Sequence, residues 1–236
     1  MLIMEKQDLN KGKNRRQFLG SLTAGAASLG LAGMLSPLQQ LQARNPFEFK
    51  MNDPEECFKK MTGKHRIIYD VVRPNGIFPF VWSRVFLATN ETAGNHAADC
   101  NVVVVLRHEG IPYAFTDETW AKYNFGEVFK AEDPKTKKPS TRNPFWKPAK
   151  GDFAVPGIGT VEIGINELQD SGVIFCVCDV AMTVYSNAIG QGMKMDPADV
   201  KKEWMTGLIP GVQVMPSGVW AVGRAQEHGC SYCYAS

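Results

Sequence analysis

Three features of the sequence predict a three-layer α/β domain with a mostly parallel sheet. Short β-branched runs alternate with amphipathic stretches, the order that lays helices on the faces of a parallel sheet. One run, NVVVVL at residues 101–106, is too continuously apolar for a strand with one wet face and suits the middle of such a sheet. No internal repeat interrupts that order.

The segment ahead of the domain reads as an export signal. Lys11, Lys13, Arg15 and Arg16 form a basic region, Phe18 and Leu19 follow, and a weakly apolar run rich in Gly, Ala and Ser spans residues 20–35. Adjacent arginines in that setting look like the twin-arginine type, which carries folded proteins across a bacterial membrane. Residues 1–43 are therefore expected to be a signal cleaved after Ala43, and residues 44–236 a single domain, periplasmic or otherwise exported. An uncleaved anchor is the alternative, although the glycines of the run make a poor membrane helix. No cysteine precedes Cys57, which speaks against a lipoprotein.

Within the domain, HRIIYDVV at residues 65–72 and NVVVVL are the first two strands. Between them Phe80, Arg84 and Leu87, with Val81 and Val85, recur at helical spacing. After Thr160 a second amphipathic stretch sets Val161, Ile165 and Leu168 on one face, with Gly172 as its stop, and VIFCVC at residues 173–178 is the third strand. Asp196, Pro197 and Asp199 begin the next helix: the carboxylate caps free amides, proline fits the first turn, and the second acid suits the dipole. Val200 and Trp204 give that helix its inner face. Residues 212–215 are a fourth strand, and Ser217 caps a last helix that carries Val219, Val222 and Ala225 as far as Gly229. Residues 128–157 break the pattern with Pro134, Pro139, Pro144, Pro148 and Pro156 among many lysines. A loop this long is functional or disordered. Its aromatics Phe145, Trp146 and Phe153 favour docking, on a neighbouring subunit for example, and surface disorder is the alternative.

Charge narrows the partners. The chain has 26 Lys+Arg against 24 Asp+Glu; residues 1–43 hold five of the bases and two of the acids, which leaves 21 against 22 in the rest. A near-neutral mature protein offers no electrostatic footing for nucleic acid or for an anionic membrane. All six cysteines lie in this part. An even count in an oxidising compartment points to bridges, yet a domain of about 190 residues folds without them, leaving thiols free for chemistry.

The leading site candidate is CVCDVAM at residues 176–182. Ligands of open α/β sheets gather beyond the carboxyl ends of strands, and Cys178 falls there, where strand gives way to helix. A thiol at a helix mouth faces unpaired amides and the positive dipole end, which favours thiolate. Cys176 has the same strand parity, so the two thiols are expected on one face; the alternative makes both small buried hydrophobes. His108 and Glu109 end the second strand and could face Cys178 and tune it, or simply hold a solvated loop. There is no G-x-G-x-x-G, P-loop or G-x-S-x-G, so no cofactor is expected.

The closing HGCSYCYAS places Cys230 and Cys233 at C-x-x-C spacing, which allows a redox pair, part of a metal site with His228, or a disulfide. Tyr234 after Cys233 excludes covalent haem attachment. The pair follows a helix stop instead of opening a helix, which argues against an oxidoreductase pair, and a site of His228, Cys230 and Cys233 lacks a fourth ligand. The tail is expected to fold back over the sheet edge or the Cys178 cleft. Tyr232 and Tyr234 would then pack down, with Cys230 and Cys233 bridged to each other or to Cys57 or Cys100; metal binding is the alternative.

The runs GVIFCVCDVAM, NVVVVLRHEGIPYAF and LIPGVQVMPSGVWAVGRAQEHGC together resemble the DsrE/DsrF-like family of sulfur-handling proteins, in particular an exported branch with a twin-arginine signal. The resemblance spans most of the chain from about residue 65. It implies a flavodoxin-like or Rossmann-like fold, assembly as a homo-oligomer, and, in sulfur-relay members, transport of sulfur as a cysteine persulfide. The family's sulfur-accepting cysteine ends a strand ahead of a small residue and a helix, the position Cys178 fills. Cys176 and the proline-rich insertion depart from the family pattern. The function so implied is that of a sulfur carrier or sulfurtransferase-like protein; a metal-binding or redox tail and a non-catalytic oligomeric binding domain are the alternatives.

Overall fold

The computed structural model describes residues 53–236, which belong to one compact unit; the expected signal over residues 1–43 lies outside them. Five parallel strands form one sheet: β1 (His65–Val71), β2 (Cys100–Leu106), β5 (Ile174–Cys178), β6 (Gln213–Met215) and β7 (Ser231–Tyr234). Their order is β6-β5-β2-β1-β7, so the most apolar strand, β2, is central. A separate antiparallel ribbon joins β3 (Ala154–Val155) to β4 (Gly159–Thr160). The three-layer α/β arrangement with a parallel sheet is the one the alternating pattern predicts.

Alternation along the strands separates two cores. Tyr69, Val71, Val102, Val104, Leu106, Phe175 and Val177 face the larger one. It is covered by α2 (Phe78–Thr92), α5 (Ile165–Asp170), α6 (Asp179–Met193) and α7 (Pro197–Thr206), together with the short α3 (Asp117–Lys122) and α4 (Phe125–Val128). Ile68, Val103, Val105, Cys176 and Met215 face the smaller core, under α1 (Glu56–Lys59) and α8 (Gly218–Glu227). The chain steps from β1 through β2 and β5 to β6 by way of the large-core face. It then returns across the other face through α8 to place β7 beside β1. The exits from β5 and β6 therefore diverge to opposite faces, which makes their carboxyl ends the switch point of the sheet.

Local sequence accounts for the helix ends. The Asp196 carboxylate accepts from the Ala198 amide at 2.8 Å, Pro197 occupies the first turn, and Val200 and Trp204 are buried. Ser217 Oγ accepts from the Trp220 amide at 3.1 Å, and α8 stops at Gly229, whose φ of +84° suits a residue without a Cβ. Val219 departs from expectation. It is 70 % exposed, and Gly218, Ala221 and Ala225 are buried on the inner face, with Trp220 and Val222 packed half-buried beside them. The second amphipathic stretch starts later than its spacing suggests: Thr160 belongs to β4, Glu167 accepts from the Gly164 amide at 2.7 Å, and the helix runs from Ile165.

Residues 128–157 do not form a loose loop: Phe145 and Phe153 dock on the core of their own domain. Phe145 and Phe153 stack 5.1 Å apart within the large core, and Phe145 lies 4.3 Å from Phe80. Buried Asn143 donates to the carbonyls of Tyr113 and Phe115 at 3.0 and 2.9 Å, and Trp120 Nε1 donates to the Ser140 carbonyl at 2.9 Å. The insertion is thus a wall of its own domain, tied in by these side-chain bonds together with the Glu132–Pro139 bridge and the β3–β4 ribbon.

The tail also differs from expectation. Residues 231–234 form the edge strand β7, with Ile68 opposite Tyr232 and Tyr69 opposite Cys233. Tyr232 and Tyr234 are 47 % and 48 % exposed and do not pack down. Extended backbone sends Cys230 into the small core and Cys233 toward the large one, so the sheet stands between the two sulfurs. All six cysteines are free thiols, and the expected Cys230–Cys233 bridge is not formed.

Candidate functional site

Cys178 closes β5 opposite Met215 of β6, at the switch point. It is the N-cap of α6: its backbone stays extended while Sγ accepts from the Ala181 amide at 3.3 Å. This turns the thiol into the helix and away from strand alternation. Cys178 consequently joins the large core while Cys176 lies in the small one, and the two thiols do not share a face. The sulfur therefore sits in the field of a fifteen-residue helix's N-terminus with only 6 % of the residue exposed.

Beside it stands a charged network. Arg107, directly after β2, donates from Nε to Asp70 Oδ1 at 2.7 Å and from Nη2 to Oδ2 at 2.9 Å, a bidentate pair. Tyr232 of β7 donates to the same Oδ2 at 2.8 Å. Asp70 is 1 % exposed. The Arg107 guanidinium is held above its ordinary range, chiefly by the hydrogen bond to Asp70, with smaller contributions from Asp70's charge, Tyr232 and Cys178. Gly218 opens α8 flush against the arginine stem, where a Cβ would meet Arg107 Cβ at 2.4 Å. A fixed cation and the starts of α6 and α8 thus border one strand end.

The other expected residues lie around this centre without bonding to Cys178. His108 takes a left-handed backbone, φ +51°, and its Nδ1 lies 3.2 Å from the Tyr185 hydroxyl on α6. Glu109 is exposed; burial first, and then its charge, push Tyr185 up to about 12. The alternative metal set does not converge. His228 Nε2 points to Glu55 at 3.4 Å, Cys230 Sγ lies 4.0 Å from Met61 Sδ, and Cys233 is across the sheet. Among the described residues no group of three or more His, Cys, Asp or Glu could hold a metal ion.

Sequence reading missed Asp70, Arg107 and Tyr232. The signal was a carboxylate inside an otherwise apolar strand, IIYDVV, which in a folded core requires a partner. Two surface concavities, one lined by Asp196, Asp199 and Lys202 and one by Phe78, Lys135 and Asp152, include neither Cys178 nor Arg107.

No family model matches the chain, and no curated protein matches it. Among solved structures it is similar to a protein of unknown function, MTH1491 from Methanobacterium thermoautotrophicum. The two share 17 % identity over 72 % of this chain and 98 % of that one, at a TM-score of 0.37.

Proposed function

We propose that this protein is an exported sulfur carrier, or a sulfurtransferase-like protein, in which Cys178 holds sulfane sulfur as a persulfide. The observation that carries the reading is the placement of Cys178 Sγ at the N-terminus of α6, on the switch point, beside Arg107. The Ala181 amide donates to this sulfur and the Arg107 cation stands beside it, so the nucleophile of a sulfur transfer is held and oriented at the strand end. In the transfer, the Cys178 thiolate attacks the outer sulfur of a donor persulfide; the donor S–S bond breaks, the donor leaves as thiolate, and Cys178 keeps the S–SH group. Low exposure shields that labile group from water and from small oxidants, and requires the donor to approach at the strand end. Assembly as a homo-oligomer and delivery through residues 1–43 are parts of the same proposal.

The burial of Cys100, Cys176, Cys178 and Cys230 favours a second reading, an oligomeric binding domain with structural cysteines. One experiment separates them. Reduced protein is incubated with a sulfane-sulfur donor and its intact mass measured before and after reductant. The proposal expects one reductant-labile sulfur on the wild type and on Cys57→Ser, and none on Cys178→Ser. Undiminished labile sulfur on Cys178→Ser rejects the role of Cys178.

A further inference from the structure

One edge of the sheet is β7, and its sequence SYCY has neither of the residue types that keep edges apart. It carries no charge and no proline, and its ladder with β1 runs from Ser231 to Tyr234 without a bulge. The opposite edge, β6, is three residues long and is stopped by Pro216. The ladder also shows which backbone groups β7 leaves open. The Ala235 amide donates to the Asp70 carbonyl, and backbone groups alternate sides along a strand, so residues 231, 233 and 235 turn theirs toward β1. Tyr232 and Tyr234 therefore turn both N–H and C=O away from it. Among the described residues these outward groups meet only the Cys233 thiol, 3.7 Å from the Tyr234 carbonyl, which puts that sulfur at the edge. The Tyr232 hydroxyl is drawn back to Asp70, so its ring leaves the edge clear. Exposed apolar surface lies close by. Tyr69, opposite Cys233 in the ladder, donates to the Trp82 carbonyl at 3.0 Å, which sets that turn of α2 over β1. Trp82 stacks on Phe78 at 5.4 Å, and both rings are more than a third exposed.

We infer that β7 is the interface with a second copy of this chain, the two strands pairing antiparallel about a two-fold axis at Cys233. In that register Tyr232 of each copy exchanges backbone bonds with Tyr234 of the other, so every outward group of the two tyrosines finds a partner. Cys233 meets Cys233 of the second copy at the intervening non-hydrogen-bonded position, where Cα atoms lie about 4.5 Å apart and both side chains leave on one face. That spacing falls within the range a disulfide spans. A two-fold axis sets a strand against itself, so a charge on it would face its own copy; SYCY has none, which fits it to a second copy and not to a charged peptide. The pairing uses up the edge and closes the assembly at a dimer. A disulfide compound of the class of oxidised glutathione can then link the copies. One Cys233 thiolate attacks a sulfur of that disulfide, forming a mixed disulfide and releasing one thiolate; Cys233 of the second copy, as thiolate, attacks the first Cys233 Sγ and releases the other. Two protein thiols are oxidised, one external disulfide is reduced to two thiols, and the two protons pass to the released thiolates. This inference gives a place to the homo-oligomer proposed above and rests on that part of the reading alone, since persulfide chemistry at Cys178 enters no step.

The test combines sedimentation of the reduced protein with cross-linking by oxidised glutathione, in an equal mixture of unlabelled and nitrogen-15-labelled chains. The expected results are twice the monomer mass and a dithiothreitol-labile peptide that joins Cys233 of an unlabelled chain to Cys233 of a labelled one. Two variants tie both results to the edge. Tyr234→Pro removes an amide that faces away from β1, so the internal ladder stays, and Tyr234→Lys puts a charge on an already exposed position. Each should keep the wild-type thermal midpoint to within a few degrees, sediment as a monomer and cross-link slower by about tenfold or more, the factor for one lost hydrogen bond. A monomeric mass for the reduced wild type overturns the inference, and is the result if another segment of the same chain or a peptide of another protein takes the edge. A dimer that both variants leave unchanged overturns it as well, as does recovery of Cys233 only as the glutathione mixed disulfide or linked to another cysteine. Loss of labile sulfur at Cys178 would defeat the carrier reading and leave these outcomes as they are.

Discussion

At the scale of single residues, the placement of Asp70 organises the site. A carboxylate that is 1 % exposed is tolerated only because Arg107 meets it with two hydrogen bonds and Tyr232 with a third. Replacing it with asparagine keeps the shape but leaves the guanidinium without its counter-charge. Asp70→Asn is therefore expected to lower stability by about 2 kcal/mol, less than for a fully buried pair because the Arg107 side chain is 28 % exposed. Tyr232→Phe removes one hydrogen bond, at a cost of about 1 kcal/mol. Denaturant midpoints of the two variants check both values, and an Asp70→Asn midpoint equal to wild type would show the pair contributes nothing. Asp70 was visible in the sequence as an anomaly, but Arg107 lies 37 positions away and Tyr232 lies 162 away, and nothing local ties either to it.

At the scale of elements, β7 makes the tail part of the fold. It pairs with β1 over four positions, and beyond it the Ala235 amide donates to the Asp70 carbonyl at 3.0 Å. Ser236 Oγ accepts from the Val72 amide at 2.7 Å and the Arg73 amide at 3.1 Å. Removing residues 231–236 opens the β1 edge and strips Asp70 of Tyr232. The expected loss is about 3 kcal/mol or more, a fall in thermal midpoint of about 6–12 °C, read by calorimetry or circular dichroism. A truncated chain that melts with the wild type would remove β7 from the account. The four residues SYCY after a helix stop are too few for periodicity to decide between a strand and a trailing tail. Longer elements were clearer. The caps at Asp196 and Ser217 announced α7 and α8, because a side chain that satisfies an orphan amide acts within three residues of itself.

At the scale of the whole molecule, charge and topology divide the explanation. Residues 44–236 are near neutral, so the basic cluster of residues 11–16 is the part of the chain that carries directional charge. If the adjacent arginines address the chain to the twin-arginine route, changing Arg15→Lys and Arg16→Lys together keeps the charge but should retain the precursor in the cytoplasm. Cell fractionation checks this, and unaltered appearance of the mature protein outside the membrane would discard the assignment. Of the architecture, the sequence alone determined the alternation of strand and helix, the central place of NVVVVL and the position of Cys178 at a strand end, since each follows from periodicity, composition or capping within a dozen residues. It left the partners of those elements open. Tertiary structure alone decided that the proline-rich insertion walls its own core and that β7 lies beside β1, with Cys230 and Cys233 on opposite faces. It also decided that Cys178 turns away from Cys176, and that Arg107 and Asp70 meet beside it. Those outcomes depend on which distant segments bury each other's surfaces and answer each other's charges, and such pairings are set by the geometry of the assembled sheet.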